Sequence, residues 1–312
     1  MSHPLTIRNN ENYVSIIIPH FNRPKYLPLI FESLDKFADL PYELLIHEDG
    51  SIDNSLDELL KYKDKISTLL INTNKGYNVG LALSIDRLVD VSTSEYIIFM
   101  NNDCRLNRPC LNEIVDILKN EFVGIICLFE DNPKSVSEYL CTTKGTKFYL
   151  KRGLGHGSAI AFRKSFFNNI GKTAEVNSGC SDTPIFYRAF RYGYFRAGLL
   201  GERAIENISF VNYGNSDSCM SFSGKDCCFP KLFKINNYEE LWRARENWCH
   251  NVNNNAVNKQ DASDSNLGYW HEYTKTLFRD QDNITTIDWD FGKKHGQDKW
   301  KSMILSMLEV QK

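Results

Sequence analysis

No apolar run in the 312 residues approaches the ~20 needed to cross a bilayer as a helix, so no transmembrane segment is expected. An excess of one charge is missing as well. The 37 Lys and Arg nearly balance the 39 Asp and Glu, and a net charge of -2 gives no global drive toward nucleic acid or anionic lipid. A local basic groove is still compatible with that total. Paired Cys-x-x-Cys spacing is absent from the nine cysteines, which weakens a zinc site built from Cys219, Cys227, Cys228, Cys249 and His250. The odd, irregularly spaced cysteines suit free thiols in a reducing compartment. Residues 1–13 lack the basic stretch and apolar core of a secretory leader, so the expected location is cytoplasmic. No repeat of fixed period is found. What is present is a globular composition, 42% hydrophobic and 24% charged. The length fits one large domain plus an extension, or two modest domains.

Residues 14–18 form a continuous apolar run of the kind buried on both faces of a sheet, and Pro19 is expected to end it. A helix follows over 24–40, with Leu27, Ile30, Phe31, Leu34 and Phe37 on one stripe. Strands are expected at 42–47, 67–72 and 95–100, and helices at 52–62 and 79–89. This alternation predicts βαβ units and a mostly parallel sheet. Beyond Asp103 come a helix at 111–120, a strand at 123–129 and a polar, lysine-bearing loop over 130–152. A strand at 158–162 and helices at 164–170 and 182–192 complete the pattern. Past about residue 206 the β signal fades, and 241–248 and 269–278 read as helices around an Asn-rich loop at 251–258. The expected division is a tail at 1–12, an α/β domain at 13–204 and a mainly helical extension at 205–312.

Four segments place polar or acidic groups at the end of an apolar run. They are Val14-Ser-Ile-Ile-Ile-Pro-His-Phe-Asn22, His47-Glu-Asp-Gly-Ser51, Phe99-Met-Asn-Asn-Asp-Cys104, and Ser181-Asp182 running into Phe186-Tyr-Arg-Ala-Phe190. Open α/β sheets bind ligands in the crevice beyond the carboxyl ends of their strands. Phe21 could present an aromatic edge to a flat base, or fill the core. Glu48 and Asp49 leave a strand as adjacent carboxylates, which are costly to bury without partners. N-capping explains Ser51 and Asp53 but not that pair. Asn74-Lys75-Gly76 could offer amides and a cation to an anion, or form a plain turn. Asn101, Asn102 and Asp103 bring oxygen donors suited to a hard cation.

Together these segments resemble the inverting family-two glycosyltransferases with the GT-A fold, over roughly the first two-thirds of the chain. The resemblance implies a Rossmann-like α/β domain with a mostly parallel central sheet flanked by helices. It also implies transfer of a sugar from a nucleotide-sugar donor, UDP-linked by default, to an acceptor hydroxyl. Pro19, Phe21 and Asn22 then fall where the family wraps the nucleobase. Asp49 takes the place of the acid that hydrogen-bonds the base, and Asn74 and Gly76 match a loose Asn-x-Gly element. Asn101, Asn102 and Asp103 match the Asp-x-Asp element that holds Mn2+ or Mg2+ on the diphosphate, with Asp103 the metal anchor. Asp182 matches the catalytic acid that deprotonates the acceptor, although Ser181 or Asp182 could instead cap a helix.

This chain departs from the family in four places, one of them Ser181, which stands where the family has a Glu before the catalytic acid. In the other three, Glu48 replaces an Asp, Asn101 the first acid of the metal element, and Asn212 a late His, for which His156 is a candidate substitute. The resemblance favours a glycan acceptor. A hydroxymethylated base in DNA is the second class, with Arg188, Arg191, Arg196 and the loop carrying Lys144, Lys147, Lys151 and Arg152 as phosphate contacts. A third reading is a fold of this kind that binds without catalysis, motivated by Asn101 and Asn212 and opposed by Asp103 and Asp182. Trp242, Trp248 and Trp270, with Tyr269 and Tyr273, could stack on sugars or lie in a core.

Overall fold

The computed structural model describes residues 13–73, 75, 81–129, 140–151, 157–170, 185–186, 189 and 194–208. The expected C-terminal helices, the tryptophans, the zinc candidates and most of the helix expected at 182–192 lie outside them.

Seven consecutive buried residues make β1 (Val14–His20) an interior strand of a nine-stranded sheet. Helix α1 (Leu27–Phe37) leads from it to β2 (Tyr42–Glu48), and α2 (Ser55–Leu60) leads on to β3 (Thr68–Ile71). Then α3 (Leu81–Val91) carries the chain back to β4 (Tyr96–Met100) on the other side of β1. These four strands are parallel, in the order β3-β2-β1-β4. The chain winds away from β1 in one direction and returns in the other, so β1 and β4 flank a switch point. Open sheets bind ligands at such points.

Beyond β4 the sheet becomes mixed. It continues through β6 (Val123–Cys127), β9 (Ala159–Arg163) and β10 (Phe195–Leu199) in the order β4-β9-β6-β10. Helix α4 (Leu111–Leu118) precedes β6, and α5 (Lys164–Ile170) follows β9. The far edge is a hairpin of β7 (Leu140–Thr143) and β8 (Thr146–Lys151). Only β8 and β9 run against the other strands of the sheet. The expected mostly parallel α/β sheet is therefore present.

Apolar stripes on the helices close both faces. Leu27, Ile30, Phe31 and Leu34 of α1 and Ile114, Ile117 and Leu118 of α4 pack with Ile16, Ile18, Leu44 and Ile46. On the opposite face, Ile85, Leu88 and Val89 of α3 and Phe166, Phe167 and Ile170 of α5 pack with Ile17, Leu45, Ile97 and Phe99. Each such side chain contributes about 1.5–3 kcal/mol on full burial, and the two layers hold the strand ends in register.

Two expectations need correction. Pro19 does not end the first strand, which runs through His20 in register with β2. The polar loop expected at 130–152 contains the β7–β8 hairpin. Lys144 and Gly145 sit at φ 48 and 85, the two-residue turn whose twist suits a hairpin, and Phe148 and Leu150 are buried despite the neighbouring lysines. Beside the main sheet, β5 (Cys104–Leu106) pairs with β11 (Ile205–Asn207), and Ile205 and Ile208 pack in the core.

Candidate active site

The candidate ligand crevice is the place where β1 and β4 separate, beyond their carboxyl ends. Their pairing stops at Ile17↔Phe99, while β1 stays with β2 through His20↔Glu48. Pro19 has no N–H to donate and stands past the last β4 partner, which is why a central strand tolerates it. The strand ends are then tied together. Asp49 N–H donates to His20 O at 2.8 Å. Asn102 Nδ2 donates to Phe21 O at 3.2 Å and Asn22 O at 3.3 Å.

Asn22 and Arg23 both adopt left-handed backbone, φ 57 and 67, at a cost of roughly 1–2 kcal/mol for an ordinary L-residue. Hydrogen bonds from the β2–α2 turn offset it. Asn22 N–H donates to Ser51 Oγ (2.8 Å), and Asn22 Oδ1 accepts from Ile52 N–H (3.1 Å). Arg23 N–H donates to Asp53 Oδ2 (3.0 Å), whose other oxygen accepts Ser55 N–H (3.0 Å) at the start of α2. Asn22, like Asn102, thus builds the frame of the crevice.

The two carboxylates at the end of β2, Glu48 its last residue and Asp49 the next, diverge because successive side chains point to opposite faces of a strand. Glu48 is buried and accepts Gly50 N–H at 3.3 Å and Ser51 N–H at 2.7 Å. Its charge therefore closes the turn, with Gly50 at φ 78. Helix capping does not account for Glu48, since α2 begins only at Ser55, and the Ser51 hydroxyl serves Asn22 rather than the helix. Asp49, also buried, faces α3. Its Oδ1 accepts from Asn72 Nδ2 (3.1 Å) and its Oδ2 from Ser84 Oγ (3.3 Å). Ser84 in turn lies 2.7 Å from His47 Nδ1, and Arg87 Nη1 lies 3.5 Å from His47 Nε2. Burial, helped by Arg87 and opposed by Glu48, lowers the His47 pKa to about 4.

At the end of β4, Asn101 N–H donates to Ser158 O (2.8 Å), its carbonyl accepts Cys104 N–H (3.0 Å), and the residue is partly exposed. Asp103 is buried, and its Oδ2 lies 3.6 Å from Arg23 Nη1. Among the described residues no three His, Cys, Asp or Glu cluster as metal ligands.

The description Glycosyl transferase family 2 matches residues 15–196. The chain belongs to glycosyl transferase family 2. A processive diacylglycerol beta-glycosyltransferase of Mycoplasma genitalium is 28% identical over 191 residues, covering 60% of this chain and 53% of that protein. A cholesterol galactosyltransferase of Borreliella burgdorferi is 29% identical over 114 residues, covering 36% and 31%. The chain thus spans a third to a half of the length of these relatives. Among solved structures, S. aureus TarS 1-349 superposes with a TM-score of 0.52 at 14% identity, covering 87% of this chain and 75% of that one. The mannosyltransferase PcManGT of Pyrobaculum calidifontis, in complex with GDP-Man and Mn2+, gives 0.51 at 14% identity, covering 96% and 87%. At these identities the likeness is one of fold.

In this family-two domain the structure brings Phe21, Asn22, Asp49, Asn101, Asn102 and Asp103 to one end of the sheet. Pro19 is buried inside β1, so of the expected aromatic edge only Phe21 is partly exposed. Lys75 is exposed after β3, while Asn74, Gly76, His156, Ser181, Asp182, Arg188, Arg191 and Asn212 lie outside the described residues. Arg196 is buried in β10 and donates to Cys127 Sγ at 3.5 Å, which removes it from the DNA-contact set. Lys144 and Lys147 sit on the hairpin and are exposed. Cys104, Cys110, Cys127 and Cys141 are buried. No helix of the described residues is long and apolar enough to cross a membrane. Sequence reading missed His47, Ser84 and Arg23 as site groups. The available signal for Ser84 is a polar residue on the otherwise apolar Leu81–Ile85–Leu88 stripe.

Proposed function

We propose that this protein transfers a sugar from a nucleoside-diphosphate sugar to an acceptor hydroxyl with inversion. The observation that carries the reading is the tying together of three strand ends, β1, β2 and β4, at the switch point, with Asp49 just beyond β2 and Asp103 just beyond β4. In this reading Asp49 and Phe21 hold the nucleobase, and Asn101 and Asp103 face the diphosphate. Asp182 is proposed as the base on the resemblance of its segment alone. UDP is the default nucleotide, supported by a TarS complex with UDP-GlcNAc at TM-score 0.50.

A divalent cation suits this donor set in one form. Asp103 and the Asn101 amide offer hard oxygen donors, and Mg2+ or Mn2+ is commonly held by one or two carboxylates plus phosphate oxygens and waters. When bound, the cation would neutralise charge on the departing diphosphate. The protein's own part is to place Asp103 at the end of β4 and to keep the base in register with it.

The acceptor is proposed to be a glycan or other hydroxyl compound. The experiment is a thermal-shift screen of UDP- and GDP-sugars with and without Mn2+, since a ligand of the folded state raises its stability by mass action. NMR of the product formed from the stabilising donor then reads the anomeric configuration. Retained configuration, or no donor binding, would overturn the reading.

A further inference from the structure

We propose that Ser84, held by His47, is a positioning residue that sets the Asp49 carboxylate for the nucleobase. The inference rests on the reading of Asp49 as the nucleobase ligand and adds the device that orients it. Three hydrogen bonds run in series from helix α3 and strand β2: Arg87 Nη1 to His47 Nε2 (3.5 Å), His47 Nδ1 to Ser84 Oγ (2.7 Å), and Ser84 Oγ to Asp49 Oδ2 (3.3 Å).

With a neutral imidazole, only one arrangement of protons satisfies all three. An ionised carboxylate accepts and cannot donate, so the single hydroxyl proton of Ser84 points to Asp49. Ser84 must then accept from His47, which places the imidazole proton on Nδ1. That leaves Nε2 with a lone pair, and the group facing it is a guanidinium, which can only donate. The series is directional, and every donor points toward the carboxylate. A second proton on His47 would put an N–H against the Arg87 cation. The depressed pKa of His47 agrees with the neutral form.

Geometry makes the device local. Side chains at 47 and 49 lie on the same face of the strand, and that face packs on α3. Asn72 Nδ2 holds the other carboxylate oxygen at 3.1 Å. Ser84 and Asn72 together fix the plane of the carboxylate from two elements, and neither is placed here as a direct ligand of the nucleotide. Cooperative polarisation along such a series strengthens the terminal bond.

The test uses the full chain in Mn2+, with calorimetric titration of UDP and GDP, and of inorganic pyrophosphate as a probe without a base. Ser84→Ala is expected to weaken the nucleoside diphosphate that wild type binds by about tenfold, the scale of one lost charge-assisted bond. Pyrophosphate affinity should be unchanged, and Ser84→Thr, which keeps the hydroxyl, should restore binding to within about twofold. His47→Leu should repeat the Ser84→Ala pattern and covers the case in which one variant fails to fold. Equal losses for nucleotide and pyrophosphate would mean a general structural role and overturn the proposal. Wild-type nucleotide affinity in Ser84→Ala, with Asp49→Ala weakened, would overturn it while leaving Asp49 as the base ligand. Wild-type affinity in Asp49→Ala would remove the Asp49 reading itself.

Discussion

Arg23 and Asp103 form an ion pair across the mouth of the crevice, with Nη1 3.6 Å from Oδ2. Arg23 reaches this point because its backbone is left-handed, held there by Asp53. Asp103 arrives from the far side of the switch point, at the end of β4. The carboxylate that the family resemblance assigns to a metal is therefore already faced by a cation that belongs to the chain.

One consequence concerns metal binding. A divalent ion approaching Asp103 without nucleotide meets the charge of Arg23, whereas the diphosphate would bring charge to engage both. We predict weak Mn2+ binding by the bare protein and strong binding with UDP or GDP present. Arg23→Gln should raise the affinity of the bare protein about threefold to fivefold, as expected for a partly exposed pair worth up to ~1 kcal/mol. Mn2+ titration followed by electron paramagnetic resonance reads this without turnover. Tight binding to bare wild type would sink the idea.

Glu48 carries a structural prediction. Its buried carboxylate accepts two backbone N–H groups of the turn that supports Asn22 and Asp49. Glu48→Ala leaves those two donors unsatisfied and should cost about 2–6 kcal/mol in urea unfolding, at roughly 1–3 kcal/mol per orphaned group. Glu48→Asp should also be destabilising, because the shorter side chain cannot span to Ser51 N–H from the same backbone. Wild-type stability in Glu48→Ala would show that the turn closes without it.

The strands at the heart of the sheet were legible because each is an uninterrupted apolar run, and the acids after β2 and β4 were legible because they end such runs. The β7–β8 hairpin was not, since Lys144, Lys147 and Lys151 mask the buried Phe148 and Leu150 in any count of polarity. The β5–β11 pair was hidden for another reason: each strand has only three residues, and they are about 100 positions apart. Which of Glu48 and Asp49 faces the turn and which faces α3 depends on strand register, and adjacency in sequence makes the two look alike. Arg23 is the clearest case. Its partner lies 80 residues away and is reached only through two left-handed residues, which no propensity of Asn-Arg announces.

Asp182 is predicted to act as the base that takes the acceptor proton, on the sequence motif ahead of Phe186. Asp182→Asn should lower transfer by at least ~100-fold, the usual scale for losing a general base, with donor affinity within about twofold of wild type. The comparison to make is single-turnover rate against calorimetric donor affinity. Equal turnover in the two proteins would remove the assignment.

Acid should weaken this fold through His20. The ring is buried at the end of β1, and neither nitrogen has a hydrogen-bond partner among the described residues. Burial lowers its pKa from 6.5 to about 4, with Asp53 opposing and Arg23 adding to the shift. The unfolded chain therefore takes up a proton near pH 6.5, while the folded chain refuses it until about pH 4. Stability is unaffected by this group above pH 6.5, falls as pH drops through that window, and is flat again below it. Each pKa unit is worth about 1.4 kcal/mol, so the loss approaches ~3 kcal/mol by pH 4. Carboxylates titrate in the same range, so the difference from His20→Phe isolates the histidine. Urea unfolding at pH 7, 6, 5 and 4 should show the variant gaining on wild type by that amount as pH falls. A gap that stays constant with pH would mean that His20 takes up its proton as readily in the folded protein as in the unfolded chain, and that the end of β1 is more polar than its packing indicates.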